Sequence, residues 1–119
     1  MGYVSRELRR LVSRCVNTYE GIRITWREEA SFPQWVVINI ISVIGTFLLD
    51  LSSTERLILI ILGLLILVVE LLNTGIEAAI DRISDDIHPL SKKAKDAGCA
   101  AVALMAAIGG FAWVYILLT

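Results

Sequence analysis

The feature that most constrains this chain is the length of its apolar stretches that carry no charge. Residues 30–49, 57–69 and 97–119 contain no Asp, Glu, Lys or Arg. A helix needs about 20 mostly apolar residues to cross a bilayer core of about 30 Å. The first and third stretches reach that length alone, and the second reaches it only if its helix continues through Glu70. The sequence therefore predicts an all-α integral membrane protein.

Composition supports the same class. Hydrophobic residues make up 56% of the 119 residues, and the mean hydropathy of +0.72 is too high for a soluble domain of this size. The net charge of -1 argues against a nucleic-acid partner, because proteins that bind nucleic acids need an excess of basic residues. We expect one membrane domain, residues 1–119, with transmembrane helices at about 31–50, 55–82 and 93–118.

The distribution of basic residues predicts the orientation, because Lys and Arg resist translocation. Ten of the eleven lie before the first span or between the second and third spans. Only Arg56 lies in the other loop. We therefore expect a cytoplasmic N-terminus and a cytoplasmic loop after the second span.

Residues 1–29 have a different pattern, typical of an amphipathic helix lying on the membrane surface. Apolar residues recur at steps of three and four on one side, namely Val4, Leu8, Leu11, Val12, Cys15, Tyr19, Ile22 and Trp26. Arginines and Glu20 occupy the opposite side. Ser31 and Pro33 then predict the start of a new helix, with Ser31 as its cap.

The second span carries polar residues where apolar ones are expected. Glu70, Asn73, Glu77 and Asp81 lie at offsets of 0, 3, 7 and 11, within about 80° of one another over about 16 Å of helix. A carboxylate at the bilayer centre costs about 2.5 to 3.5 kcal/mol, so such residues commonly mark a functional site. Two plainer interpretations of this polar stripe need no functional site. The residues could form a polar contact between helices, or they could lie at the interface where the helix leaves the membrane.

A second charged group lies at the same predicted depth. Lys95 and Asp96 directly precede the third span, and Glu29 directly precedes the first. Two acids could share a divalent cation there, and a lysine could hold phosphate. His88 belongs to the intervening loop, and a lone histidine is more often structural than catalytic. The chain has neither of the common glycine-rich nucleotide-binding motifs.

The third span is rich in Ala and Gly, which allow helices to approach closely in lipid. Three spans can hardly enclose the polar stripe of the second helix. We therefore expect a homo-oligomer.

These residues together resemble the prokaryotic diacylglycerol kinase family. The resemblance rests on ELLNTGIEAAIDR at 70–82, HPL at 88–90 and AKD at 94–96, and extends to Gly21, Arg23, Trp26 and the Glu29-Ala-x-Phe32 run. It implies a homotrimer in the bacterial inner membrane, with an N-terminal surface helix and three transmembrane helices per subunit. It also implies transfer of the γ-phosphate of ATP, with Mg²⁺ as cofactor, to the primary hydroxyl of diacylglycerol to give phosphatidic acid.

The resemblance also implies roles for individual residues. Glu70 would be the general base, Asn73 would orient the reacting groups and Asp81 would support the site. Glu29 and Glu77 would bind the metal and, through it, ATP. The remaining ATP contacts would be Arg10, Asp86, Ile87, His88, Lys95 and Asp96. The lipid groove would be lined by Arg23, Trp26, Phe32, Gln34, Leu49, Asp50, Arg56, Glu70 and Trp113.

Five positions depart from the proteobacterial members of the family. Pro33 and Trp35 replace Arg and Glu, and Asn17, Tyr19 and Cys99 replace Tyr, Trp and Ser. The 88–96 segment also resembles the branch that phosphorylates undecaprenol, so undecaprenol is the alternative lipid.

Two other functions are alternatives for a membrane chain of this size. An ion or proton carrier would need polar residues through the outer halves of its spans, and these are nearly bare. A structural membrane subunit would not need Glu70 and its stripe.

Overall fold

The computed structural model describes residues 2–119, and these form four α-helices. Helix α1 covers Tyr3–Glu28 and α2 covers Ser31–Leu48. Helix α3 covers Ser53–Ile83, and α4 covers Pro89–Leu118. The predicted all-α class is confirmed, and the polar stripe of the second span lies on one unbroken helix.

Helices α2, α3 and α4 are each long and apolar enough to cross a membrane. Few of their residues are buried within the chain, and most of their large apolar side chains are exposed. In a bilayer these side chains contact lipid or other protein, which avoids the cost of exposing them to water. The prediction of a multi-pass membrane protein is therefore confirmed.

Local sequence explains where α3 and α4 begin. Ser52 and Glu55 form a reciprocal capping box at the start of α3. At the start of α4, the His88 Nδ1 accepts a hydrogen bond of 3.1 Å from the Leu90 N–H, and Pro89 occupies the first turn. His88 thus has a structural contact of its own.

Arg56 stabilises the C-terminal end of α2. Its Nε donates to the Thr46 carbonyl at 3.0 Å and its Nη2 donates to the Leu51 carbonyl at 3.3 Å. The guanidinium also lies 4.7 Å from the centre of the Phe47 ring. A cation at these carbonyls is favoured by the helix dipole.

Two local predictions need correction. Ser31 is the first residue of α2 and does not cap it, because Ala30 occupies the cap position with no side-chain hydrogen bond. Helix α4 begins at Pro89 and not at about residue 93 as predicted, and Lys95 and Asp96 lie within it. The pre-organised ring of Pro89 starts the helix before the charged residues end.

Helix α3 is the centre of the chain and packs against α2 and most extensively against α4. A hydrogen bond of 2.9 Å from Trp113 Nε1 to Ser42 Oγ joins α4 to α2. Helix α1 meets the others only at its end, where Trp26 packs edge-on against the buried Phe32 at 6.3 Å between ring centres. The surface location of α1, the homotrimer and the domain limits stay predictions.

Candidate functional site

Glu70 is a buried carboxylate in the apolar part of the molecule. Its exposed fraction is 5%, and the six residues before it, 64–69, are all Leu, Ile or Val. Its Oε2 accepts a hydrogen bond of 3.3 Å from the Ser31 hydroxyl, on the first turn of α2. The sequence does not reveal this partner, because the two residues are 39 positions apart. One oxygen of Glu70 is thus held by a neutral donor, and within residues 2–119 no hydrogen bond reaches Oε1.

Glu29 occupies the corner between α1 and α2. Its N–H donates to the Thr25 carbonyl at 2.9 Å, which ends α1, and its side chain is half-buried. Burial raises the pKa of the Glu29 carboxyl above its ordinary value, and the negative charges of Glu77, Glu70 and Glu28 raise it further. The hydrogen bond from Ser31 to Glu70 places the corner beside the polar stripe of α3, which agrees with this repulsion.

Asn73 lies between Glu70 and Glu77 on the same stripe and contacts α4. Its Nδ2 donates to Glu77 Oε1 at 3.4 Å. Its Oδ1 is buried and has no hydrogen-bond partner among residues 2–119. The amide is therefore orientated with its donor toward the acid and its acceptor toward Gly98 of α4.

An ion pair joins α3 to α4 at the end of the stripe. Lys95 Nζ lies 2.6 Å from Asp81 Oδ1. Both side chains line a cavity of about 380 Å³ that also includes Asp86, His88 and Asp96. Ile87 lines it as well, so the cavity brings together five of the residues predicted to contact ATP, in addition to Asp81.

Other predicted residues lie apart from this group within a single chain. Arg10 is paired with Glu7 at 2.9 Å, and about 27 Å of helical rise separates it from the end of α1. Arg23 is exposed and paired with Glu20 at 3.4 Å.

Four predicted lipid-contact residues lie toward the opposite ends of the spans. They are Leu49, Asp50, Arg56 and Trp113. Arg56 is 14 residues before Glu70 on α3, which corresponds to about 21 Å. By contrast, Trp26, Phe32 and Gln34 lie at the α1–α2 corner beside Glu29.

No group of three or more His, Cys, Asp or Glu side chains in the described part of the chain is arranged to hold a metal ion. The acids whose charges act on Glu29 are Glu77, Glu70 and Glu28. A metal bound there would need oxygen ligands from another molecule in addition to these carboxylates.

The fold and the site define the class: a multi-pass α-helical membrane protein with carboxylates from separate helices gathered at one end of its spans. The family profile described as prokaryotic diacylglycerol kinase matches residues 16–117. The chain belongs to this family and is a kinase.

Curated relatives agree with the profile. The chain is 42% identical to diacylglycerol kinase of Pseudomonas aeruginosa, over 93% of this chain and 90% of that protein. It is 35% identical to diacylglycerol kinase of Escherichia coli K12, over 91% and 88% respectively. Diacylglycerol kinase of Helicobacter pylori J99 is 31% identical, over 97% and 90%.

Proposed function

We propose that this protein transfers the γ-phosphate of ATP to the primary hydroxyl of diacylglycerol, giving phosphatidic acid. The observation that carries the proposal is the buried Glu70, held by Ser31 beside the acidic corner at Glu29. A lipid hydroxyl lies at the headgroup level, where this end of the spans would be. The names of the relatives supply the substrate class.

Glu70 is the proposed general base. The lipid hydroxyl gives its proton to the free oxygen of Glu70 while its own oxygen bonds to the γ-phosphorus. The bond from that phosphorus to the β–γ bridging oxygen breaks, and ADP leaves. The Ser31 hydroxyl keeps the carboxylate in one rotamer, because it occupies the other oxygen.

Glu29 and Glu77 are the proposed metal ligands, from the α1–α2 corner and from α3. Their mutual repulsion fits a divalent cation, and Mg²⁺ is commonly bound by one or two carboxylates together with substrate phosphates. When bound, Mg²⁺ would neutralise the negative charge of the ATP phosphates during transfer. Asn73 donates to Glu77 and so fixes the direction of that carboxylate.

The nucleotide is proposed to occupy the cavity at the start of α4. Lys95 supplies positive charge for the phosphates, and Asp86, His88 and Asp96 line the same cavity. Asp81 holds Lys95 in place. Arg10 would contribute only if α1 of another subunit approached, which agrees with the proposed homotrimer.

The lipid headgroup is proposed to lie at the α1–α2 corner, among Trp26, Phe32, Gln34 and Arg23. Leu49, Asp50, Arg56 and Trp113 would then contact the distant part of a lipid or a lipid bound to a neighbouring subunit. We further propose that the protein resides in the bacterial inner membrane with its N-terminus in the cytoplasm, so that the site faces ATP.

The test is a lipid kinase assay with purified protein in a bilayer-like medium. Wild-type protein with ATP and Mg²⁺ is expected to convert diacylglycerol to phosphatidic acid, and omission of Mg²⁺ should stop the reaction. Undecaprenol is offered in competition. Clear preference for undecaprenol would replace the proposed lipid, and phosphorylation of neither lipid would refute the proposed function.

A further inference from the structure

Two asparagines on the spans each face a glycine of the neighbouring helix. Gly98 is the buried residue of α4, and a Cβ atom there would overlap Asn73 Oδ1. Gly63 of α3 has the same relation to the Asn39 amide of α2. In both cases the absent side chain of glycine makes the room for a carboxamide.

The two asparagines differ in what their amides bind. Asn39 donates from Nδ2 to the Trp35 carbonyl at 2.9 Å, within its own helix. Asn73 donates from Nδ2 to Glu77 Oε1. Only the Asn73 pair therefore acts on a residue of the candidate site.

The contact at Gly98 is one of shape and not of hydrogen bonding. Asn73 Oδ1 has no donor within residues 2–119, and it lies between α3 and α4 in the space that a side chain at Gly98 would occupy. If that space were filled, the amide would rotate or withdraw, and its donor would leave Glu77. Alanine is the better helix former, so a loss caused by Gly98→Ala cannot come from helix propensity.

We propose that Gly98 is a positioning residue of the kinase, which holds the Asn73 amide in the orientation that directs Glu77. The proposal rests on the proposed role of Glu77 in the reaction. Gly98 itself touches neither substrate; it acts through Asn73. A misplacement of about 1 Å in such a site can cost about 100-fold in rate.

The matched variants are Gly98→Ala and Gly63→Ala, which add the same methyl group at equivalent contacts. Asparagine occurs at only three positions in the chain, 17, 39 and 73. Protein labelled with ¹⁵N-asparagine in detergent micelles therefore gives three side-chain amide signals in an NMR spectrum, assigned by Asn39→Ala and Asn73→Ala. Gly98→Ala is expected to shift the Asn73 signal, and Gly63→Ala the Asn39 signal.

Measurements of kcat distinguish a positioning role of Gly98 from a role in helix packing alone. Gly98→Ala is expected to lower kcat about tenfold or more, whereas Gly63→Ala should keep kcat within about twofold of the wild type. Equal kcat values for the two variants, with the Asn73 signal shifted, would overturn the proposal. An unshifted Asn73 signal in folded Gly98→Ala protein would also overturn it.

A double variant covers the case in which Gly98→Ala does not fold. Alanine at position 73 removes the overlapping amide, so adding Gly98→Ala to Asn73→Ala should change neither the unfolding temperature nor the residual kcat. A loss in either quantity as large as in the wild-type background would overturn the proposal. If wild-type protein phosphorylates no lipid, the proposed function fails, while the NMR and unfolding measurements still decide whether Gly98 fixes the Asn73 amide.

Discussion

At the scale of single residues, the site depends on carboxylates that are kept in unfavourable surroundings. Glu70 is buried with a neutral serine as its partner, and Glu29 faces the negative charges of Glu77 and Glu70. Such groups reduce folding stability, and active sites commonly retain them because the reaction needs them. Removing one of these charges should therefore keep or raise the unfolding temperature, even where it lowers the kinase activity.

Glu70→Gln tests the proposed base. The amide keeps the shape of the carboxyl but cannot take a proton, so the kinase rate should fall about 100-fold or more. The unfolding temperature should be equal to or above that of the wild type, because a buried charge is removed. Ser31→Ala is the graded control and should lower the rate about two- to tenfold, as expected for loss of one hydrogen bond. Wild-type turnover in Glu70→Gln would exclude Glu70 as the base.

Glu29→Gln tests the repulsion at the corner. Because the pKa of Glu29 is raised in the folded state, folding loses stability as the pH rises above the ordinary value of 4.5. At pH 7 and without divalent metal, the variant should therefore unfold a few degrees higher than the wild type. Below about pH 4 the carboxyl is protonated in both states, and the difference should vanish. Thermal unfolding with EDTA at both pH values measures this, and a variant less stable at pH 7 would contradict it.

At the scale of elements, the site is assembled where α4 crosses the polar stripe of α3. Two contacts of α4, one turn apart, define this crossing: Lys95 pairs with Asp81, and Gly98 receives Asn73. The long antiparallel contact of α3 and α4 carries these two pairs on helices. A charge exchange across the crossing should therefore preserve packing while changing the chemistry.

Lys95→Asp combined with Asp81→Lys makes that exchange. The ion pair is restored with reversed polarity, so the unfolding temperature should lie above that of either single variant. The cation has moved from α4 to α3, so the KM for ATP should stay raised about tenfold or more. Steady-state kinetics with varied ATP and thermal unfolding check the two effects. Recovery of the wild-type KM would show that Lys95 has no specific place at the phosphates.

At the scale of the whole molecule, most of the apolar surface of α2, α3 and α4 is left uncovered by the chain itself. Lipid and further subunits are the proposed cover, and the basic residues near one end of the spans predict which end faces the cytoplasm. The site, the positive flanks and α1 would then share one side of the membrane.

A cysteine introduced on the polar face of α1 allows this orientation to be measured. Cys15 and Cys99 are first replaced by alanine, so that they cannot react. In this background, a membrane-impermeant maleimide should label Arg6→Cys, at an exposed position of α1, in inverted vesicles and not in intact spheroplasts. Thr119→Cys in the same background is the matched control and should give the reverse. Labelling of Arg6→Cys from outside the cell would refute the proposed orientation.

The sequence by itself determined the four helices and the line of polar residues on α3. These follow from short-range physics: the length needed to cross a bilayer and the 3.6-residue repeat of a helix. It also determined the family, because the 70–82, 88–90 and 94–96 segments are local strings of residues.

Only the tertiary structure decided which residues meet across helices. Ser31 looks like a helix cap in the sequence, but its hydroxyl binds Glu70 on another helix. Gly98 looks like one of many small residues in α4, but it is the one whose missing side chain leaves room for the Asn73 amide. Both contacts depend on the separation and rotation of two packed helices, which long-range packing sets. No local pattern encodes these two quantities.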